Sequence, residues 1–430
     1  MLGIFESLIW AVIGGSLILM ILAKPYFGLI ITISSLPVVD LLPPIPILSS
    51  AVVLVGLATV FGALLHSKSL QYKKISSGMV IGFLFTLWLL FSNPQAAWFG
   101  DTRNWFLTFL QLWILMFMSA QLLDTPQKHI TFIWFFALVG GITGVISISQ
   151  GNIGESISTS LRASGLSGNP NSNGRYLVVA MIQFYYLFGT SKQWFYKFFA
   201  LLGILITFFA VFFTLSRSSI LILFFGIGLL ILLNFRKSLS VVTIILFLVA
   251  FMGFISFSDQ LVGILNTILP SITLGTDTVG VRYRLWEAGI EMWRDFPIVG
   301  VGIGNFINYL PFYGSNLAPH YWFSPLHNTY LSALVETGLV GFVLFMILVI
   351  LSFRNFWVAK FDDDKEWSAL RNAWFVIFLV VGLGEVTANG LYDKLFWFLF
   401  GISIYIREQS ARAVSLKQPN TNHFLHNKYL

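Results

Sequence analysis

The chain has 430 residues, is 57% hydrophobic and only 10% charged, and has a formal net charge of +7 at pH 7. Soluble domains normally carry about a quarter charged residues, so this composition excludes a soluble enzyme and indicates one polytopic membrane domain. There is no cysteine, which excludes disulfides, thiolate metal sites and cysteine nucleophiles.

Apolar runs occupy residues 4–23, 26–41, 48–65, 78–92, 105–122 and 130–149. The first lacks a basic leader and reads as a span rather than a cleavable signal. The second is interrupted by Pro37 and Asp40. After a polar gap come 176–189, 195–215, 219–233 and 239–257, and then 328–353, 373–390 and 395–406. Most are long enough to cross a bilayer core. The sequence thus predicts an all-α polytopic membrane protein with 12–13 transmembrane helices and a large external loop, about residues 258–327, carrying an amphipathic helix. Residues 1–410 form one integral membrane domain, and the polar segment 411–430 reads as a disordered cytoplasmic tail.

Basic residues set the orientation. Lys68, Lys73, Lys74, Lys128, Lys192, Lys197, Arg236 and Arg354 fall on alternate connections, which the positive-inside rule assigns to the cytoplasm. The opposite connections hold Arg103, Arg162, Arg175, Arg217, Arg282, Arg284, Arg294 and Lys394, nearly all arginine. Guanidinium binds phosphate oxygens in a bidentate fork and keeps its charge when partly desolvated. Arginines on the face that topology disfavours imply an anionic ligand; Arg103 and Arg294 read equally well as headgroup anchors.

Four stretches of that face carry the chemistry. Residues 162–175 (Arg-Ala-Ser-Gly-Leu-Ser-Gly-Asn-Pro-Asn-Ser-Asn-Gly-Arg) form a chain of turns ending at a helix start, where backbone N–H groups can hold an anion or sugar hydroxyls. Arg162, Asn171 and Arg175 are its substrate-binding candidates. Thr214-Leu215-Ser216-Arg217-Ser218-Ser219 joins two apolar runs as a tight hairpin, with Ser218 or Ser219 able to cap the next helix and Arg217 favoured as a phosphate ligand. From Arg282 to Phe296 apolar residues including Leu285, Trp286, Met292 and Trp293 make one broad face, so a helix lying flat in the headgroup layer is expected. Gly300, Gly302 and Gly304 follow without the strand–helix context of a dinucleotide fingerprint.

His327 opens the next apolar helix and is followed by Asn328. A helix N-terminus disfavours imidazolium, so neutral His327 is a candidate general base. His320 lies mid-loop and is less well fixed. Glu336, deeper along the same helix, is expected to bond to a neighbouring helix, with Gly338 and Gly341 permitting close helix approach.

Taken together, the Gly-Asn-Pro-Asn turn, Leu-Ser-Arg217, Arg282-Tyr-Arg284-x-Trp286, Gly300-x-Gly302-x-Gly304, His327-Asn328-x-Tyr330 and Glu336-x-Gly338-x-x-Gly341 resemble the O-antigen ligase/polymerase family of bacterial inner-membrane glycosyltransferases. The resemblance covers about residues 160–345. It implies a GT-C-like fold and metal-independent glycan transfer on the periplasmic side. The donor would be an undecaprenyl-pyrophosphate-linked oligosaccharide and the acceptor a glycan or a lipid-A core, with membrane lipids around the protein. No cofactor and no nucleic acid are expected. Arg217 and one of Arg282 or Arg284 would bind the pyrophosphate, His327 would activate the acceptor hydroxyl, and Trp286 and Asn328 would contact substrate. The competing reading is a polysaccharide transporter or flippase, which predicts inverted repeats, broken helices and ionisable groups deep in several spans.

Overall fold

A computed structural model describes residues 14–41, 46–66, 75–92, 99–151, 162–233, 278–361, 363–388 and 390–417. The described elements are helices α1 (Gly14–Ala23), α2 (Tyr26–Ser34), α3 (Pro46–Leu65), α4 (Ser77–Phe91), α5 (Phe99–Leu122), α6 (Pro126–Gln150) and α7 (Pro170–Thr190). They continue with α8 (Trp194–Phe213), α9 (Arg217–Leu233), α10 (Thr278–Asp295), α11 (Phe306–Tyr313), α12 (Thr329–Val358), α13 (Lys365–Gly384) and α14 (Lys394–Lys417). No strand occurs among the described residues. Five helices among them are long and apolar enough to cross a membrane, which with the shorter apolar helices makes this a multi-pass membrane protein.

Helix starts follow local chemistry. Thr125 caps α6 and Asn169 caps α7, each with proline at the first helical position, where no N–H is needed. Asp364 caps α13 by accepting from the N–H groups of Glu366 and Trp367 at 3.0 and 3.1 Å. Small residues then let helices approach. Gly140 of α6 faces Ala180 of α7, and Gly203 of α8 faces Phe184, so a methyl group at either glycine would overlap its neighbour. Aromatic side chains fill the bundle centre: Phe85, Phe109, Phe345 and Trp397 meet with ring centroids 5.7 to 6.2 Å apart.

Two local expectations change. Residues 26–41 are not one span: α2 ends at Ser34, and Pro37 turns the chain into the 3-10 segment Leu36–Leu41. Helix α14 continues to Lys417, so 411–417 are helical rather than part of a disordered tail. The predicted span 239–257 lies outside the described residues.

Over one end of the bundle, α10 and α11 form a cap with its own core. Leu285, Ala288 and Met292 of α10 pack with Phe306 and Leu310 of α11, and with Leu326 and Val335. The apolar face of α10 is therefore covered by protein and does not lie flat against lipid, as its amphipathic pattern predicted. Hydrophobic periodicity reports a buried face without saying what buries it.

Helix α12 is broken at Gly338, whose φ of 67° and ψ of −175° suit only glycine. The cap's glycine segment fills the break. Val301 N–H donates to Val335 O and Gly302 N–H to Glu336 O, both at 2.9 Å, while Leu339 N–H donates to Pro297 O at 2.8 Å. The Trp88 indole donates to Thr337 O at 2.8 Å. Backbone groups freed inside a bilayer must find partners, and these do. Gly338 thus admits another stretch of backbone rather than a neighbouring helix; Gly341 is the one that faces α4, against Trp88. Glu336 accepts from Phe306 N–H at 3.4 Å, so the neighbouring helix it bonds to is α11, at its first residue.

Candidate active site

The turn after Arg162 is tied down on both sides. The Gln150 side chain grips Gly165 twice, donating to its carbonyl at 3.1 Å and accepting from its N–H at 2.9 Å. Asn173 donates to Ser147 Oγ at 2.8 Å. Arg162 then reaches across, donating from Nε to Thr214 O at 3.1 Å and from Nη2 to Asn171 Oδ1 at 2.9 Å. Asn171 Oδ1 also accepts from Ser216 Oγ at 2.9 Å, so one amide joins the starts of α7 and α9.

Ser216, rather than Ser218 or Ser219, caps α9: its Oγ accepts from Ser219 N–H at 3.3 Å. Arg217 is therefore the first residue of α9, and its side chain is exposed. The preceding Leu215 has φ of 48° and His327 has φ of 53°, the two left-handed non-glycine residues of the described chain. Each costs about 1–3 kcal/mol, and such residues cluster at functional sites.

His327 stands just before Asn328, which caps α12 by accepting from Leu331 N–H at 3.0 Å. The Trp286 indole donates to Leu326 O at 2.9 Å, fixing the peptide next to His327. Trp286→Phe keeps the packing but removes that donor. The expected result is a fold intact by size-exclusion chromatography with kcat lowered roughly 2- to 10-fold, the equivalent of one hydrogen bond of about 0.5–1.5 kcal/mol.

Electrostatics groups the charged residues. Burial, then the charge of Arg282, lowers the His327 pKa from its ordinary value to about 4, so the imidazole is neutral at pH 7. Burial, then Arg217, lowers that of Arg282. Burial, then Arg217 and Arg282, lowers that of Arg162. Arg162, Arg217, Arg282 and His327 thus share one field, in which three like charges disfavour one another and favour an anion. Arg284 lies two residues beyond Arg282, about 200° around the helix, so the two cannot point the same way.

Arg175 does not join this group. Its Nη1 pairs with Glu385 at 2.8 Å and lies 3.8 Å from Asp393. Thr329 Oγ1 donates to the other Glu385 oxygen at 2.5 Å and accepts from Gly390 N–H at 2.6 Å. Glu385 is fully buried and fastens the starts of α7 and α12 to the end of α13. The sequence reading missed Glu385 and Thr329; the carboxylates flanking the short external turn near Lys394 were the available signal. His320 is exposed and rests on Tyr321, ring centroids 4.0 Å apart.

An all-helical membrane bundle thus brings helix starts, guanidiniums and a neutral imidazole together, an arrangement that favours an anionic ligand. Residues 202–346 match the O-Antigen ligase family. A 99-residue stretch is 31% identical to the "Exopolysaccharide production protein ExoQ" of Rhizobium meliloti (strain 1021), covering 21% of this chain and 22% of that relative. The chain is thus similar to the O-antigen ligase family over a segment of about a third of its length, and it spans about a fifth of the length of that relative. The matched segment contains Arg217, Arg282, Arg284, Trp286 and His327, and leaves Arg162, Asn171, Arg175 and Glu385 outside it.

Proposed function

We propose that the protein is a glycosyltransferase of the bacterial inner membrane. On this reading it moves glycan from an undecaprenyl-pyrophosphate donor to an acceptor hydroxyl at the periplasmic face, as an O-antigen ligase or polysaccharide polymerase. The observation that carries the proposal is the shared field of Arg162, Arg217, Arg282 and neutral His327. In the reaction the acceptor oxygen attacks the anomeric carbon and its proton passes to His327. The bond from that carbon to the lipid diphosphate breaks, and the diphosphate leaves with the electron pair. Arg217 and Arg282 stabilise the growing negative charge in the way that fixed dipoles stabilise an oxyanion. Arg162 adds to the field, Trp286 and Asn328 hold His327 in place, and Asn171 and Arg175 hold the helix starts. Arg284 remains the alternative phosphate ligand on α10.

The test is reconstitution with a lipid-diphosphate oligosaccharide. Arg217→Lys is expected to impair transfer strongly, because a point charge cannot replace a bidentate fork. Unchanged donor binding and turnover would make Arg217 an anchor only. Arg282→Ala should lose more activity than Arg284→Ala; the opposite order would move the diphosphate to the other side of α10. Long products from one donor type would indicate a polymerase, and a single transfer to core a ligase.

One feature also suits a transporter: α12 is broken within its span. Its freed backbone groups are paired with the cap and with Trp88 rather than lining a path, which supports the transferase reading.

A further inference from the structure

A cavity of about 450 Å³ lies between α2, α3 and α5, away from the arginine group. Its size is that of a small-molecule site, about 300–1,000 Å³. Leu29, Leu57, Leu112 and Met118 make its wall apolar, and Gln111, Tyr392 and Lys394 bring polar atoms to it. Leu57 is 61% exposed, so the cavity reaches the surface of the described helices.

Lys394 is the informative residue. It begins α14, where the helix dipole disfavours a cation. Among the described residues no carboxylate forms an ion pair with it. The charge of the adjacent Asp393 acts on it, but that carboxylate is shared, accepting from Leu395 N–H at 2.7 Å and lying 3.8 Å from Arg175. An ammonium at the wall of an apolar cavity in a membrane protein calls for an anionic partner.

The position relative to His327 says which molecule fits. Asp393 lies by Arg175, whose partner Glu385 holds Thr329, two residues beyond His327. The arginine group meets His327 through α10 instead. Two anion-attracting groups are therefore linked to the start of α12 through separate contacts, an arrangement suited to a transfer between two lipid-anchored molecules. Resting on the transferase reading, we propose that the cavity holds the lipid anchor of the acceptor, with the anchor's phosphate at Lys394.

The test uses the full-length protein with two acceptors, a lipid-phosphate-anchored glycan and the same glycan without its anchor. Lys394→Gln removes the charge. Gly56→Phe fills the cavity from α3, where an added Cβ meets nothing within 4 Å, so folding should be retained. Each variant is expected to raise KM for the anchored acceptor roughly tenfold, Lys394→Gln through the loss of one hydrogen bond to a charged group and Gly56→Phe by taking up the anchor's space. KM for the donor, and transfer to the anchor-free glycan, should stay unchanged, and Lys394→Arg should restore the anchored acceptor.

Equal loss with both acceptors, or no loss with either, would overturn the proposal. So would loss of a co-purified phospholipid with the acceptor KM unchanged, which would make the cavity a structural lipid site. Binding of the anchored acceptor alone, by native mass spectrometry, needs no turnover. Binding that persists in both variants overturns the cavity assignment even if transfer proceeds. Binding lost in both upholds it even if the wild type transfers nothing, an outcome that would sink the transferase reading separately.

Discussion

Replacing His327 with alanine is expected to lower glycan transfer by about 10²–10⁴-fold, the contribution of a positioned base. The variant should still insert and fold, because Asn328 caps α12 and Trp286 bonds to the Leu326 carbonyl, neither through the imidazole. Near-normal turnover would remove His327 from the mechanism. The pH profile gives a second check. A base acts when deprotonated, so activity is present above its pKa and lost as pH falls through it. With His327 held at about 4, the acid limb of kcat/KM should lie near pH 4 rather than near the usual 6.5. A bound diphosphate offsets the Arg282 charge that helps depress this pKa. The acid limb of kcat, which reports the substrate complex, should therefore lie higher. Identical limbs for the two parameters would mean that the anion does not bind within reach of Arg282.

Gly338→Ala is expected to cost the most in stability. At φ of 67° and ψ of −175° a side chain is strained by about 1–3 kcal/mol. A Cβ there would also overlap the Ile298 carbonyl, and relieving such overpacking typically costs about 1–3 kcal/mol more. The two effects together should lower the melting temperature sharply in detergent, measured by loss of the monodisperse peak on heating. Because the cap is fastened to α12 through this break, transfer should fall as well. Gly341→Ala, where the neighbours are the Thr337 and Trp88 side chains, probes helix packing alone. Wild-type stability in Gly338→Ala would show that the break is not needed.

Most of the bundle was legible because a lipid-facing helix has to be long and apolar, and residues 130–149 and 195–215 could be little else. The arginines stood out for a related reason, since the expected orientation puts positive charge where topology disfavours it. What the sequence concealed was pairing at a distance. Arg175 looked like a substrate-binding residue because Glu385, its partner, lies 210 positions away. Gly338 looked like a packing glycine because a break filled by foreign backbone leaves no mark on hydropathy. The order of Arg282 and Arg284 needed the helix to be placed before one of them could be set against His327.

The interleaving of segment 297–302 with α12 has a consequence for engineering. A chimera that exchanges only the external loop between relatives would set one protein's glycines against another's broken helix. Specificity in this architecture should move only when the loop and the first part of the following helix travel as one cassette.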